Sequence, residues 1–169
     1  VEMNAFSKLV PFGLTDLNIT LERWDNCTQG GELDICGICM VLDCDANIHL
    51  SDAWVEDTPW FTGVSFYVNG IHTGMPTIPG EALVELGWEI RNDTLKMGFD
   101  QSFLLGYSQN HMGYFATPNE YDWGGYESQL TFWGVDTSNM VREGCKNSLL
   151  QVAPKNPNPK AMDLKKVDL

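Results

Sequence analysis

Two groupings of reactive side chains stand out in this 169-residue chain. The first is the run CTQGGELDICGICMVLDC, which holds Cys27, Cys36, Cys39 and Cys44. Cys36-x-x-Cys39 has the spacing of a zinc or iron–sulfur ligand pair. A ribbon-type metal site wants a second such pair and none follows, so two disulfides are favoured over a metal-thiolate or redox module. Four cysteines allow three pairings, and spacing does not choose among them. The second grouping is HMGYFATPNEYDWGGYES, His111 to Ser128, where Tyr114, Tyr121 and Tyr126 are set among Gly113, Gly124 and Gly125. A phenol both donates and accepts hydrogen bonds, and glycine lets another backbone or a ligand come close. The histidines, His49, His72 and His111, stand singly. A lone histidine is ordinarily a surface or hydrogen-bonded residue.

Composition limits what these groups can serve. A hydrophobic content of 43% with 20% charged residues fits one globular domain with its own core. The net charge of −13 and a pI near 4.3 argue against nucleic acid and against an anionic membrane surface. No run of eighteen apolar residues occurs, so no transmembrane segment is expected. The chain opens on Val1 without a signal region and reads as a processed product. Three Asn-x-Thr sequons, at Asn18, Asn26 and Asn92, join the cysteines in pointing to a secreted or cell-surface protein.

The elements that must position these groups divide the chain in three. Residues 1–59, which include the cysteine run, read as short strands and loops. Residues 60–150 carry stronger signals. VSFYV followed by Asn69-Gly70 predicts a strand and a tight hairpin turn, because Asn-Gly accepts positive φ. After HTGMPTIPG, the stretch EALVELGWEIR places Leu83, Leu86 and Ile90 on one helical stripe. QSFLLGY reads as a short strand buried on both faces. Thr117-Pro118-Asn119-Glu120 predicts a helix start, with Thr117 as cap, Pro118 in the first helical position and Glu120 closing a capping box. Gly124-Gly125 should interrupt that helix, and Phe115 and Trp123 read as packing residues. In SNMVREGCKNSLL the residues Val141, Cys145 and Leu149 share a face, so Cys145 reads as a buried free thiol. Residues 151–169, rich in Pro, Asn and Lys, read as an extended tail or strap.

The order PGE, helix, apolar strand, GYFATPNEY, GGYES resembles the late catalytic segment of the neutral ceramidase family, zinc-dependent amidases that split the N-acyl bond of ceramides. The resemblance covers about residues 60 to 150. In that family a Pro-Gly-Glu turn supplies a zinc-binding glutamate, a later tyrosine joins the same metal, and a second tyrosine lies beside the scissile amide. Here the matching residues are Glu81, Tyr114 thirty-three positions later, and Tyr126 twelve positions beyond that. The resemblance therefore implies Glu81 and Tyr114 as metal ligands and Tyr126 as the catalytic phenol. The chemistry is consistent: a carboxylate is a suitable hard ligand for zinc. A phenol can donate a hydrogen bond to the oxyanion formed when water attacks an amide carbonyl.

The family also uses two zinc-binding histidines, a serine and an arginine from earlier segments, and none of the three histidines here lies in a matching motif. The resemblance thus implies an α/β or α+β fold with a mixed sheet and packed helices, forming one part of a larger ceramidase-like catalytic domain. It further implies an exported zinc amidohydrolase acting on N-acyl lipids of the sphingolipid type. A second chain from the same precursor would supply the remaining ligands. The alternative is a secreted binding or structural protein that keeps the fold without the chemistry.

Overall fold

The computed structural model describes residues 1–12 and 58–155. Cys27, Cys36, Cys39, Cys44, Asn18, Asn26, His49 and residues 156–169 lie outside the described residues.

The strand-forming run WFTGVSFYV becomes β2 (Trp60–Val68). It pairs antiparallel on one side with β1 (Glu2–Leu9) and on the other with β3 (Ile71–Thr77). The β2–β3 connection is the predicted Asn-Gly turn, with φ of 51° at Asn69 and 84° at Gly70. β3 then pairs in parallel with the two-residue β5 (Gln101–Ser102), giving a mixed sheet in the order β1-β2-β3-β5. Between β3 and β5 run β4 (Glu81–Ala82) and α1 (Val84–Lys96). After β5 come β6 (Tyr114–Phe115), α2 (Pro118–Trp123), α3 (Tyr126–Gln129) and α4 (Thr137–Leu150).

α4 lies against the sheet at the closest approach that backbone allows. A Cβ on Gly63 of β2 would sit 2.6 Å from the α4 backbone at Ser148 and Leu149. One on Gly144 of α4 would fall 2.8 Å from the Phe61 ring. The core fills the space around this contact. Phe12 stacks on Phe61 at 5.9 Å, and Leu86, Ile90, Phe115, Val141 and Cys145 are all buried. Leu86 and Ile90 of the predicted α1 stripe and Val141 and Cys145 of the α4 face are thus seated in one cluster, whereas Leu83 is the half-buried cap before α1. Outside the cluster, Arg142 of α4 reaches Asp93 of α1 at 2.8 Å and Glu89 at 3.3 Å, tying the two helices together.

Two expectations need correcting. QSFLLGY is not a strand buried on both faces: only Gln101–Ser102 pair as β5, and Thr77 bridges Leu105 alone. Phe103 and Leu105 point outward, because the segment runs along the sheet's edge and alternates between a half-buried and an open side. Trp123, expected to pack, is 83% exposed at the end of α2.

Candidate metal and amidase site

The site is built from chain reversals that bring three separated segments side by side. Glu81, expected in the first turn of a helix, instead stands on β4, two residues before the Leu83 cap of α1. β4 pairs in parallel with β6, and Glu81 is register partner to Tyr114. The Glu81 amide donates to the Gly113 carbonyl at 2.9 Å and the Leu83 amide to that of Phe115 at 3.0 Å. Gly80 and Gly113 are required for this approach. A Cβ on Gly80 would fall 2.5 Å from the Gly113 carbonyl oxygen, and Gly113 itself has φ of 75°.

The two helix starts lock the pair. Thr117 caps α2, receiving the Glu120 amide on its hydroxyl at 3.3 Å and donating its own amide to Glu120 Oε2 at 3.0 Å. The other Glu120 oxygen accepts the Glu85 amide at 2.9 Å, so one carboxylate serves the first turns of both α1 and α2. Thr117 also donates its hydroxyl to Glu85 Oε2. β4 and β6, which lead into these helices, inherit that fixed relation.

Tyr107 completes the site from a third segment. Its hydroxyl donates to Glu81 Oε2 at 2.6 Å, and its amide donates to the Gly80 carbonyl at 3.0 Å. Tyr107 adopts the left-handed conformation, φ 50°, a strain that non-glycine residues hold only where their surroundings enforce it. The His111 ring stacks on Tyr107 at 5.2 Å. On the other side Tyr126 meets Tyr114 edge to face at 5.6 Å. Gly124 and Gly125, with φ of 76° and 110°, end α2 and turn the chain so that Tyr126 opens α3.

The structure brings Glu81, Tyr114 and Tyr126, the residues the family resemblance pointed to, side by side, and Tyr107 and His111 join them. Tyr107 lies four residues ahead of the run HMGY, but its partner Glu81 is visible only once the segments are paired. His72 is elsewhere: its ring stacks on Tyr67 at 4.3 Å and its amide donates to Asp100 at 2.8 Å. Asn92 is exposed on α1, while the hydroxyl of its sequon partner Thr94 is buried and donates to the Ile90 carbonyl at 2.8 Å.

Electrostatics make this a cluster of protonated phenols around one carboxylate. Donation to Glu81, then burial, raises the Tyr107 pKa far above its ordinary value of 10.0. Burial, then the Glu81 charge, raises that of Tyr114, with Tyr126 adding to the effect and the Tyr107 hydroxyl partly opposing it. A cation at the Glu81–Tyr114 pair would reverse these effects and favour the phenolate. Two hard oxygen donors on adjacent strands fit two positions of a zinc ligand set. Among the described residues no three of His, Cys, Asp and Glu converge as a metal site.

No protein-family model matches the sequence, and no curated protein matches it. Solved structures do. The crystal structure of neutral ceramidase from Pseudomonas aeruginosa superposes with a TM-score of 0.61 over 94% of this chain at 15% identity. A ceramidase complexed with C2 gives the same TM-score and identity over 90% of the chain. The chain spans 30% of the length of each. It thus has the fold of one part of a larger ceramidase chain: a mixed sheet with helices packed against it.

Proposed function

We propose that this chain is a C-terminal fragment of an exported, ceramidase-like zinc amidohydrolase that cleaves N-acyl amides of sphingolipid-type substrates and is completed by another chain. One observation carries the reading: on a ceramidase-like fold, Glu81 and Tyr114 are register partners, and Tyr126 packs directly on Tyr114. Spacing alone would not require that meeting.

In this reading Glu81 and Tyr114 hold zinc, with the remaining ligands coming from the second chain. Zinc, when bound, lowers the pKa of water towards neutrality and so supplies the nucleophile for an amide carbonyl. This chain's own residues do the rest of the positioning. The Tyr107 hydroxyl fixes Glu81 Oε2, and a bound zinc would take the other oxygen, as outer hydrogen bonds orient metal ligands generally. Tyr126 stands half-exposed beside Tyr114, where its hydroxyl donates to the carbonyl oxygen as negative charge builds there.

The test is hydrolysis of an N-acyl sphingoid base by the native assembly carrying Tyr126→Phe. The expected outcome is a fall in kcat of roughly 100- to 1,000-fold with zinc content and KM nearly unchanged. Undiminished kcat would remove Tyr126 from the reaction.

A further inference from the structure

The four-stranded sheet has two faces of opposite character. On one, Phe61, Gly63 and Gly74 meet α4, α1 and the Phe99 ring that follows. The other face is set by register. Between β1 and β2 it presents Leu9 opposite Trp60 and Met3 opposite Phe66. Between β2 and β3 it presents Val64 opposite Met75 and Val68 opposite Ile71. Its rim is open, with Val68, Leu9, Trp60 and Ile71 about two-fifths exposed and Met3 65% exposed, while Val64, Phe66 and Met75 are half-buried and Thr62 and Thr77 are buried. The residues interspersed there are alanine, serine and threonine, and none of its positions on β1, β2 or β3 is charged. That is a marked exclusion in a chain with a net charge of −13. An antiparallel sheet with one wet face alternates apolar and polar residues. The run WFTGVSFYV does not, which is the pattern of a strand covered on both sides.

We infer that this open sheet face is the docking surface for the second chain, whose contact surface is itself an uncharged apolar layer of the same ceramidase-like domain. The inference rests on the two-chain reading above and says where the chains meet. Two observations select that occupant. The chain spans only 30% of the similar ceramidase chains, so most of such a domain lies outside it. The surface is also continuous with the candidate site. Gln109 donates to the Thr62 hydroxyl at 2.6 Å, and the Trp60 amide donates to Asn110 Oδ1 at 3.3 Å. Both belong to the loop that carries Tyr107 and His111. A layer seated on the sheet is therefore carried along that loop to the Glu81–Tyr114 pair, where further ligands are needed.

Hydroxyl-radical footprinting of the native assembly and of the 169-residue chain alone tests this, because Met3, Trp60, Phe66 and Met75 all react readily with the radical. Trp123, on α2 and fully outside this face, serves as the control that should label in both samples. The expected result is heavy labelling of Met3 and Trp60 and weaker labelling of the half-buried Phe66 and Met75 in the lone chain, with at least tenfold less at Met3 and Trp60 in the assembly. A photoreactive phenylalanine at Phe66 should then cross-link to a polypeptide of different mass. Protection in the lone monomer would mean that residues 13–57 cover the face, and protection that depends on the lone chain's concentration would mean a second copy does. Either would overturn the inference, as would full labelling in the assembly. Zinc content of the same assembly separates the two ideas. Protection without zinc refutes the amidase reading alone, and zinc without protection refutes the docking surface alone.

Discussion

Tyr107 shows how much of the site depends on single hydrogen bonds. It reaches Glu81 from a strained backbone, and that contact holds the carboxylate in one orientation. Tyr107→Phe should lower the affinity of the assembly for zinc about 10- to 100-fold, measured by competition with a chelator, while leaving the far-ultraviolet circular dichroism unchanged. Affinity equal to wild type would mean Glu81 is held well enough without it. The same phenol dictates a pH effect. Tyr107 and Tyr114 ionise above their ordinary value of 10.0 when folded, so above that pH the folded chain retains protons that the unfolded chain has lost. Their contribution to stability is therefore complete below pH 10 and is lost as pH rises through the folded values. Urea denaturation on either side of pH 10 should show stability falling with pH, less steeply in Tyr107→Phe. Zinc should shift phenolate absorbance to lower pH, since a metal bound by a phenol displaces its proton. Glu81, Tyr114 and Tyr126 were singled out by the family resemblance and not by residue type, and the structure brings them side by side. Tyr107 and His111 were not legible, because their roles arise only from a loop that wraps back onto Gly80.

The helix starts explain how the site's short strands β4 and β6 are held in place. Glu120 bonds the Thr117 amide with one oxygen and the Glu85 amide with the other, so it fixes α1 and α2 to each other. Glu120→Ala should cost about 1–2 kcal/mol, measured by urea denaturation, because an N-cap partner is lost at two helices. Glu120→Gln should recover part of that, since an amide oxygen still accepts one of the two bonds. A cost near zero for the alanine variant would show that β4 and β6 position the helices unaided. Half of this bridge was legible: Thr117-Pro118-Asn119-Glu120 is a complete local signal. The bond to Glu85 is not, since nothing local relates positions 85 and 120. The edge segment after β5 was misleading for a similar reason. Phe103, Leu104 and Leu105 are apolar in sequence, but only the half-buried Leu104 turns towards the core cluster.

At the scale of the whole molecule, the sheet and its helices form a layered unit with one side finished and one side open. The finished side was legible from period: Leu86 and Ile90 on α1, and Val141, Cys145 and Leu149 on α4, all became buried. Burial also pushes the Cys145 thiol pKa well above its ordinary value, which suits an inert core residue. The open side reflects the largely apolar run of β2, where Trp60, Val64, Phe66 and Val68 share the face turned away from α4. Glu81 and Tyr114, the proposed zinc ligands, stand as register partners on the adjacent strands β4 and β6. The central claim is that they receive a metal there. Elemental mass spectrometry of the native assembly, beside intact masses of its chains, tests it most directly. The account predicts about one zinc per copy of this chain, a second chain of different mass, and loss of that zinc in Glu81→Ala. An assembly without metal, or one whose zinc survives Glu81→Ala, would contradict it.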